Sequence, residues 1–585
     1  VASSAASLAA GNAETRHEIA FTSFAPLDTD LFIADADGSN AKPYLSHPEL
    51  DSNASFSNDS RWIVFTSRRG GSSDIYRARV DGSGLEALVT DPAYDDQAAL
   101  SPDGKALAFV SSRSGQADIW RLDLRTKKLR NLTQHASGDF RPSWSPDGRW
   151  IAFTSDRDSE FPRMPAKDFA LRQTTELYLV RIDGGEPRRL TQDGQIAGSP
   201  VFSPDGKRLA FYSARLPEFV KFNGARRASG TTQIESLDVA TGERVAMTAG
   251  NGEKWSPRWL GTERIGFVSR APAGGIEFTR GAAGVRGDFR HASWSPDGKR
   301  VVFDRDVDSR WPPNRAWPSR DTRFALRRVG VFPTFSPDGK HFAVNEGMTG
   351  TLSRSLLIAN ADGTPGRTLY SDPGDRNAVA ADWAARGDRI AFGLGRFLPN
   401  QQGGPVFSDI ALIRPDGTGF ELLTDGKTSN GFPALSPDGG QVVYRRFDGK
   451  RRSLVITRVD THETRELIGG DAHYNFPAWS PDGARIAFSS DMDGEGDFDV
   501  YSIRTDGADL RRLTRSPWND AHNRWSPDGQ WIVFATGRGG FKDEAALHIG
   551  NPQSYGEIAV MRADGSDVRV LTDDQFEDGT PTWIR

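Results

Sequence analysis

The sequence predicts an all-β protein: a β-propeller of about twelve four-stranded blades in two rings of about six, with one very large ring as the alternative. Three observations predict it. The turn Ser-Pro-Asp-Gly occurs eight times, starting at Ser101, Ser145, Ser203, Ser295, Ser336, Ser436, Ser480 and Ser526. Each copy is preceded by an aromatic residue or Leu and followed by a short β-rich run such as Trp150-Ile151-Ala152-Phe153. The whole pattern returns roughly every 45 residues, the length of one blade.

Each element of the repeat has a local cause. Pro fixes φ at the turn corner, Asp bonds its own backbone, and Gly takes a φ that other residues avoid. Degenerate copies stand at Ser57-Asn58-Asp59-Ser60 and near Gly261 and Gly387. The second strand is β-branched and aromatic, as in Trp531-Ile532-Val533-Phe534. The third is entered through an acidic residue, as in Asp74-Ile75-Tyr76, Asp118-Ile119-Trp120 and Asp499-Val500-Tyr501. A tight turn such as Asp81-Gly82 or Asp564-Gly565 follows, and the fourth strand ends in Leu-Thr, as at Leu132-Thr133, Leu190-Thr191 and Leu571-Thr572. One such sheet cannot bury both faces, so neighbouring blades must supply the core.

The ends are complementary. Glu18 to Thr22 has the character of a second strand, and Thr580 to Arg585 that of a first strand, so pairing them closes a ring without sheet edges. The expected division is a flexible stub at 1–17, left after signal removal or as a cut edge, a first propeller at 18–303 and a second at 304–585. The boundary is drawn at Asp304 to Arg323, where Trp311-Pro312-Pro313 and Trp317-Pro318 stand in a short repeat that lacks a strand.

Composition excludes several classes. A net charge of −5 gives no basic field for nucleic acid. With no cysteine there is no disulfide, thiolate metal site or cysteine nucleophile. No apolar run approaches ~18 residues, so no membrane span is expected.

These turns and the Ile-Ala-Phe runs after them resemble the TolB-like, WD-type propeller family over nearly everything after residue 17. The resemblance implies a secreted or periplasmic propeller and, by one branch of the family, binding of an envelope protein or polymer. Similar repeats precede the hydrolase domain of prolyl-oligopeptidase-type peptidases, but there is no Gly-x-Ser-x-Gly elbow here and no room for that domain. Similar propellers also occur in secreted polysaccharide lyases and related glycan-cleaving enzymes.

Strand order assigns the two rims. The Ser-Pro-Asp-Gly and Asp-Gly turns share one rim. The long insertions, 156–175, 213–232, 304–323, 395–408 and 537–556, share the other, which is the expected working surface. His47, His135, His291, His473, His522 and His548 map to that loop rim.

The densest constellation there is C-terminal. It comprises Asp520-Ala521-His522-Asn523-Arg524, then Lys542-Asp543-Glu544, His548, Gln553 and Tyr555, with Asp471-Ala472-His473-Tyr474 in the preceding blade. These types suit β-elimination on uronic-acid polysaccharide. Arg524 would neutralise the substrate carboxylate, His522 or His473 would take the C5 proton, Tyr555 would protonate the leaving oxygen, and Lys542 completes the catalytic candidates. Glu544 with Asp543 allows a hydrolase instead. Asn523, Asp543, His548, Gln553, Tyr474, Arg141 and His135 complete the substrate-binding candidates. No cofactor is required; Asp491, Asp493, Glu495 and Asp497 form the one Ca²⁺-loop candidate. The expected function is thus a secreted glycan-active propeller, a lyase or hydrolase on an acidic polysaccharide or oligosaccharide. The alternative is a non-catalytic TolB-like binding propeller for an envelope protein or polymer.

Overall fold

The computed structural model describes residues 17–585 except 27, 160–172, 193, 215–221, 224–225, 228–230, 271–273, 309–313, 346–353, 363, 365, 375, 397–406, 495–496 and 545–555. Among the described residues there is no helix, and none is long and apolar enough to cross a membrane.

The Ser-Pro-Asp-Gly turn forms as its chemistry requires. In the turn at Ser145, Gly148 lies at φ 69° and its N–H donates to the Ser145 carbonyl at 2.9 Å. The Ser145 hydroxyl donates to Asp147 at 2.6 Å and accepts from the Trp150 N–H at 2.9 Å. Side chain and backbone therefore lock the first strand to the second through contacts within the turn itself.

Blades pack in two closed cycles of six. In the first, the sheets beginning at Asp51, Asp95, Asp139, Ile196, Glu253 and Arg290 follow one another, and the last packs on the first. In the second, the cycle runs through the sheets beginning at Val331, Asn377, Ser429, Tyr474 and Asp520 to the sheet whose inner strand is Asp578–Trp583. Alternating residues fill the space between blades, such as Ile151, Phe153, Tyr178 and Val180 against Tyr94, Val110 and Ile119.

The two rings are not two consecutive stretches of chain. His17–Ser23 lies in the second ring, antiparallel to Asp578–Trp583 (Ile19 opposite Trp583) and parallel to Phe324–Arg328 (His17 opposite Phe324). The next strands, Asp28–Asp35 and Lys42–Tyr44, complete the first ring's last blade beside Arg300–Asp308. That is why the repeat near 304–323 is short of strands: its outer pair comes from the start of the chain. The chain then returns to the second ring through Arg315–Trp317.

Every blade carries the same irregularity. The innermost strand is bulged, and the residue four before the turn serine, or before Leu260, Ala384 or Ile584 in its place, takes positive φ, between 45° and 57°. Such bulges bend the strand and re-aim one side chain. Here each sits on a channel-lining strand. In the first ring these residues are Asn53, Gln97, Arg141, Ser199, Ser256 and His291; in the second they are Phe332, Ala380, Phe432, Phe476, His522 and Thr580.

Candidate functional site

These twelve residues make two different channels. The second ring's is stoppered by aromatic rings. Phe476 lies 3.8 Å from the His522 ring and 4.4 Å from Phe432, and Phe332 is 5.8 Å from His522. The space left beside them is about 20 Å³. Burial, helped by the nearby Arg524 charge, pushes the His522 imidazole down to about 3, so it is neutral at any ordinary pH. It is held as part of an aromatic stack rather than as a base.

The first ring's channel holds a cavity of about 510 Å³. Its wall runs from the bulge residues down to Asn58, Pro102, Pro146, Pro204 and Pro296 in the short turns. It therefore opens on the turn rim, opposite to the rim expected from loop length. The loop-side end is closed by the second ring. Phe541 enters the apolar cluster of Tyr94, Phe140 and Trp144, and Gln97 Nε2 donates to the Lys542 carbonyl at 3.1 Å. Arg141 donates through Nε to Asp543 at 2.9 Å and through Nη1 to Asn53 at 2.7 Å. Glu544 accepts from the Ser199 N–H at 2.7 Å, the Ser199 hydroxyl at 2.9 Å and the Tyr212 hydroxyl at 2.8 Å, and also from Thr154. Burial raises Glu544 against the opposing pull of Arg141, while the Asp543 and Glu544 carboxylates more than offset burial and keep Arg141 charged.

The predicted constellation is accordingly divided. Lys542, Asp543 and Glu544 are buried in the seam between rings; Lys542 Nζ sits between Glu557 and Asp573, the latter at 3.0 Å. His473 is fixed by its own blade, its Nδ1 2.9 Å from Asp491, and Tyr474 is buried in the adjoining core. Arg524 pairs with Asp382 at 3.4 Å, and Asn523 is buried, accepting from the Ser489 hydroxyl at 2.9 Å. His135 lies in the first ring, its N–H bonded to Asp118 at 3.1 Å. His548, Gln553 and Tyr555 lie outside the described residues. His473, His522 and Arg524 do not converge on one pocket: only His522 and Arg524 share the 20 Å³ space.

Two of the four Ca²⁺ candidates are spent on internal pairs. Asp491 takes His473 and Asp493 takes Arg512; Glu495 lies outside the described residues. Among the described residues no group of three or more His, Asp or Glu is placed to hold a metal.

Sequence reasoning missed the three phenylalanines, Phe332, Phe432 and Phe476, that stopper the second ring around His522, and it missed the cavity-lining Arg258 and Ser293 of the first. The signal was present in the nine repeats that keep the turn serine: aligning them on it puts the bulge residue at a fixed offset of four, polar in the first ring and aromatic-rich in the second.

The model of the TolB beta propeller domain matches residues 14–111, 86–162 and 396–544, together just over half of the chain. The chain belongs to the TolB β-propeller domain family. Two TolB homologues are similar to it: one from Chlorobium luteolum, 29% identical over 169 residues (29% of this chain, 37% of the relative), and one from Chlorobium chlorochromatii, 27% identical over 206 residues (32% and 45%). The match thus spans less than half the length of these curated relatives. Among solved structures, TolB from Acinetobacter baumannii aligns at a TM-score of 0.33 with 18% identity, covering 48% of this chain and 63% of that one.

Proposed function

We propose that this TolB-family chain is a non-catalytic binding propeller of the periplasm or cell exterior. It takes a segment of an envelope protein into the first ring from the turn rim. The observation that carries the reading is the contrast between channels: about 510 Å³ in the first ring and about 20 Å³ in the second. Three of the residues expected to do glycan chemistry support it too, because they are already engaged: His473 with Asp491, Arg524 with Asp382, Glu544 with Ser199 and Tyr212. A lyase needs a base, a carboxylate-neutralising cation and an acid around one substrate atom.

The first-ring lining also suits a polypeptide better than a sugar. Prolines from several blades form much of it, and the Trp144 and Trp259 N–H groups donate to the Ala99 and Val201 carbonyls at 2.9 and 3.1 Å. A sugar's hydroxyls would lose water there for few partners.

Site-specific photocrosslinking tests the reading. A benzophenone side chain at Ser143, in the first-ring channel, is expected to capture an envelope protein in cells, and one at Ala434, in the second ring, is not. Equal capture at both positions, or none at Ser143, would defeat it.

A further inference from the structure

The two rings can be compared position by position. Two residues beyond each bulge, the side chains that ring the channel nearer the turns are Ser55, Ala99, Ser143, Val201, Arg258 and Ser293 in the first ring. In the second they are Thr334, Asp382, Ala434, Ala478, Arg524 and Thr582. Each ring therefore has one arginine at this level. In the second ring it is neutralised inside the channel, Arg524 against Asp382 at 3.4 Å. The first ring has no acidic residue at any of the six positions.

Arg258 lines the 510 Å³ cavity and makes no hydrogen bond or ion pair among the described residues. Burial alone acts on its guanidinium, and no carboxylate offsets that cost. In the adjoining blade, at the same level, the Ser293 hydroxyl is buried and also without a hydrogen-bond partner among the described residues. The acidic residues at the loop-side end, Asp543 and Glu544, are already bonded to Arg141 and to Ser199 and Tyr212. The first ring thus carries, at one level of an open cavity and in adjoining blades, a half-buried cation and a buried hydroxyl that no described group engages. Both groups are open to a ligand carrying a carboxylate.

We propose that Arg258 and Ser293 form a carboxylate subsite, which receives an acidic side chain or chain end of a polypeptide segment entering from the turn rim. The guanidinium donates to the carboxylate oxygens, and the Ser293 hydroxyl donates a further hydrogen bond. The proposal rests on the reading of the first ring as the binding channel.

The test uses the full chain and glutarate as the probe, with glutaramide as its neutral counterpart, followed by ligand-observed NMR. Glutarate is expected to bind and glutaramide not to. Arg258→Met should weaken glutarate at least about tenfold, Arg258→Lys less, and Ser293→Ala about two- to threefold, in line with the strength of charge-assisted hydrogen bonds. Undiminished glutarate binding in folded Arg258→Met, equal binding of glutaramide, or no glutarate binding to the wild type would overturn the subsite. Should Arg258→Met not fold, Arg258→Lys and Ser293→Ala decide in the same way. Crosslinking at Ser143 separates the two proposals: capture there without glutarate binding leaves the binding function standing and removes only the subsite.

Discussion

Replacing His522 by phenylalanine should remove an acid weakness from the second ring. The imidazole stacks 3.8 Å from Phe476 and is held down to about 3 from an ordinary 6.5, by burial first and by Arg524 second. The folded state thus refuses a proton that the unfolded chain accepts below pH 6.5. Its contribution to stability is intact above that pH and is lost as the pH falls from 6.5 toward 3. The loss amounts to about 2 kcal/mol at pH 5 and roughly 4 kcal/mol at pH 3. Phenylalanine fits the unusual backbone, since Phe432 and Phe476 occupy the equivalent bulge at φ 52°, against 57° for His522. Urea unfolding at pH 7 and pH 5 provides the measurement. His522→Phe should lie within about 1 kcal/mol of wild type at pH 7, while wild type should lose about 2 kcal/mol more than the variant on going to pH 5. Equal losses would refute the assignment of a buried, neutral imidazole.

Three further outcomes are expected. Asp543→Ala strips the partner from Arg141 in the ring seam and should cost about 3 kcal/mol or more in urea unfolding, whereas adding Arg141→Met should recover a good part of it, as for other buried pairs broken on one side. A methyl group at Gly198 would meet Tyr212 and stand 2.7 Å from Glu544 Oε1, so Gly198→Ala should push the Glu544 anchor aside and lower stability by about 1–3 kcal/mol, a loss that Glu544→Ala should make partly redundant. Incubation with uronate-containing polysaccharides should generate no ultraviolet-absorbing unsaturated product, and an absorbance increase abolished by His473→Ala would restore the lyase reading.

Much of the architecture was legible because its causes are local. Ser-Pro-Asp-Gly shapes its own turn through Ser145 and Asp147, without help from distant residues. The complementarity of Glu18–Thr22 with the last strand was readable for the same reason, and the two do pair, Ile19 with Trp583. The candidate site was legible only in part. Lys542, Asp543 and Glu544 did mark a special loop, and His522 and Arg524 do line a channel. Their partners, however, come from elsewhere in the chain: Arg141 for Asp543, Tyr212 for Glu544, Asp382 for Arg524. A sequence shows the residue types of a constellation but not which groups are already neutralised.

By itself, then, the sequence determined the repeat, the strand types and the polarity of the two rims. Hydrogen bonds within a few residues of one another set all of these. Only the tertiary structure decided that the chain crosses between rings near both ends of the first, that Phe541 to Glu544 close one channel from the loop side, and that the open mouth lies among the short turns. Those outcomes depend on burying apolar surface and pairing charges between residues hundreds of positions apart, and no local pattern encodes them.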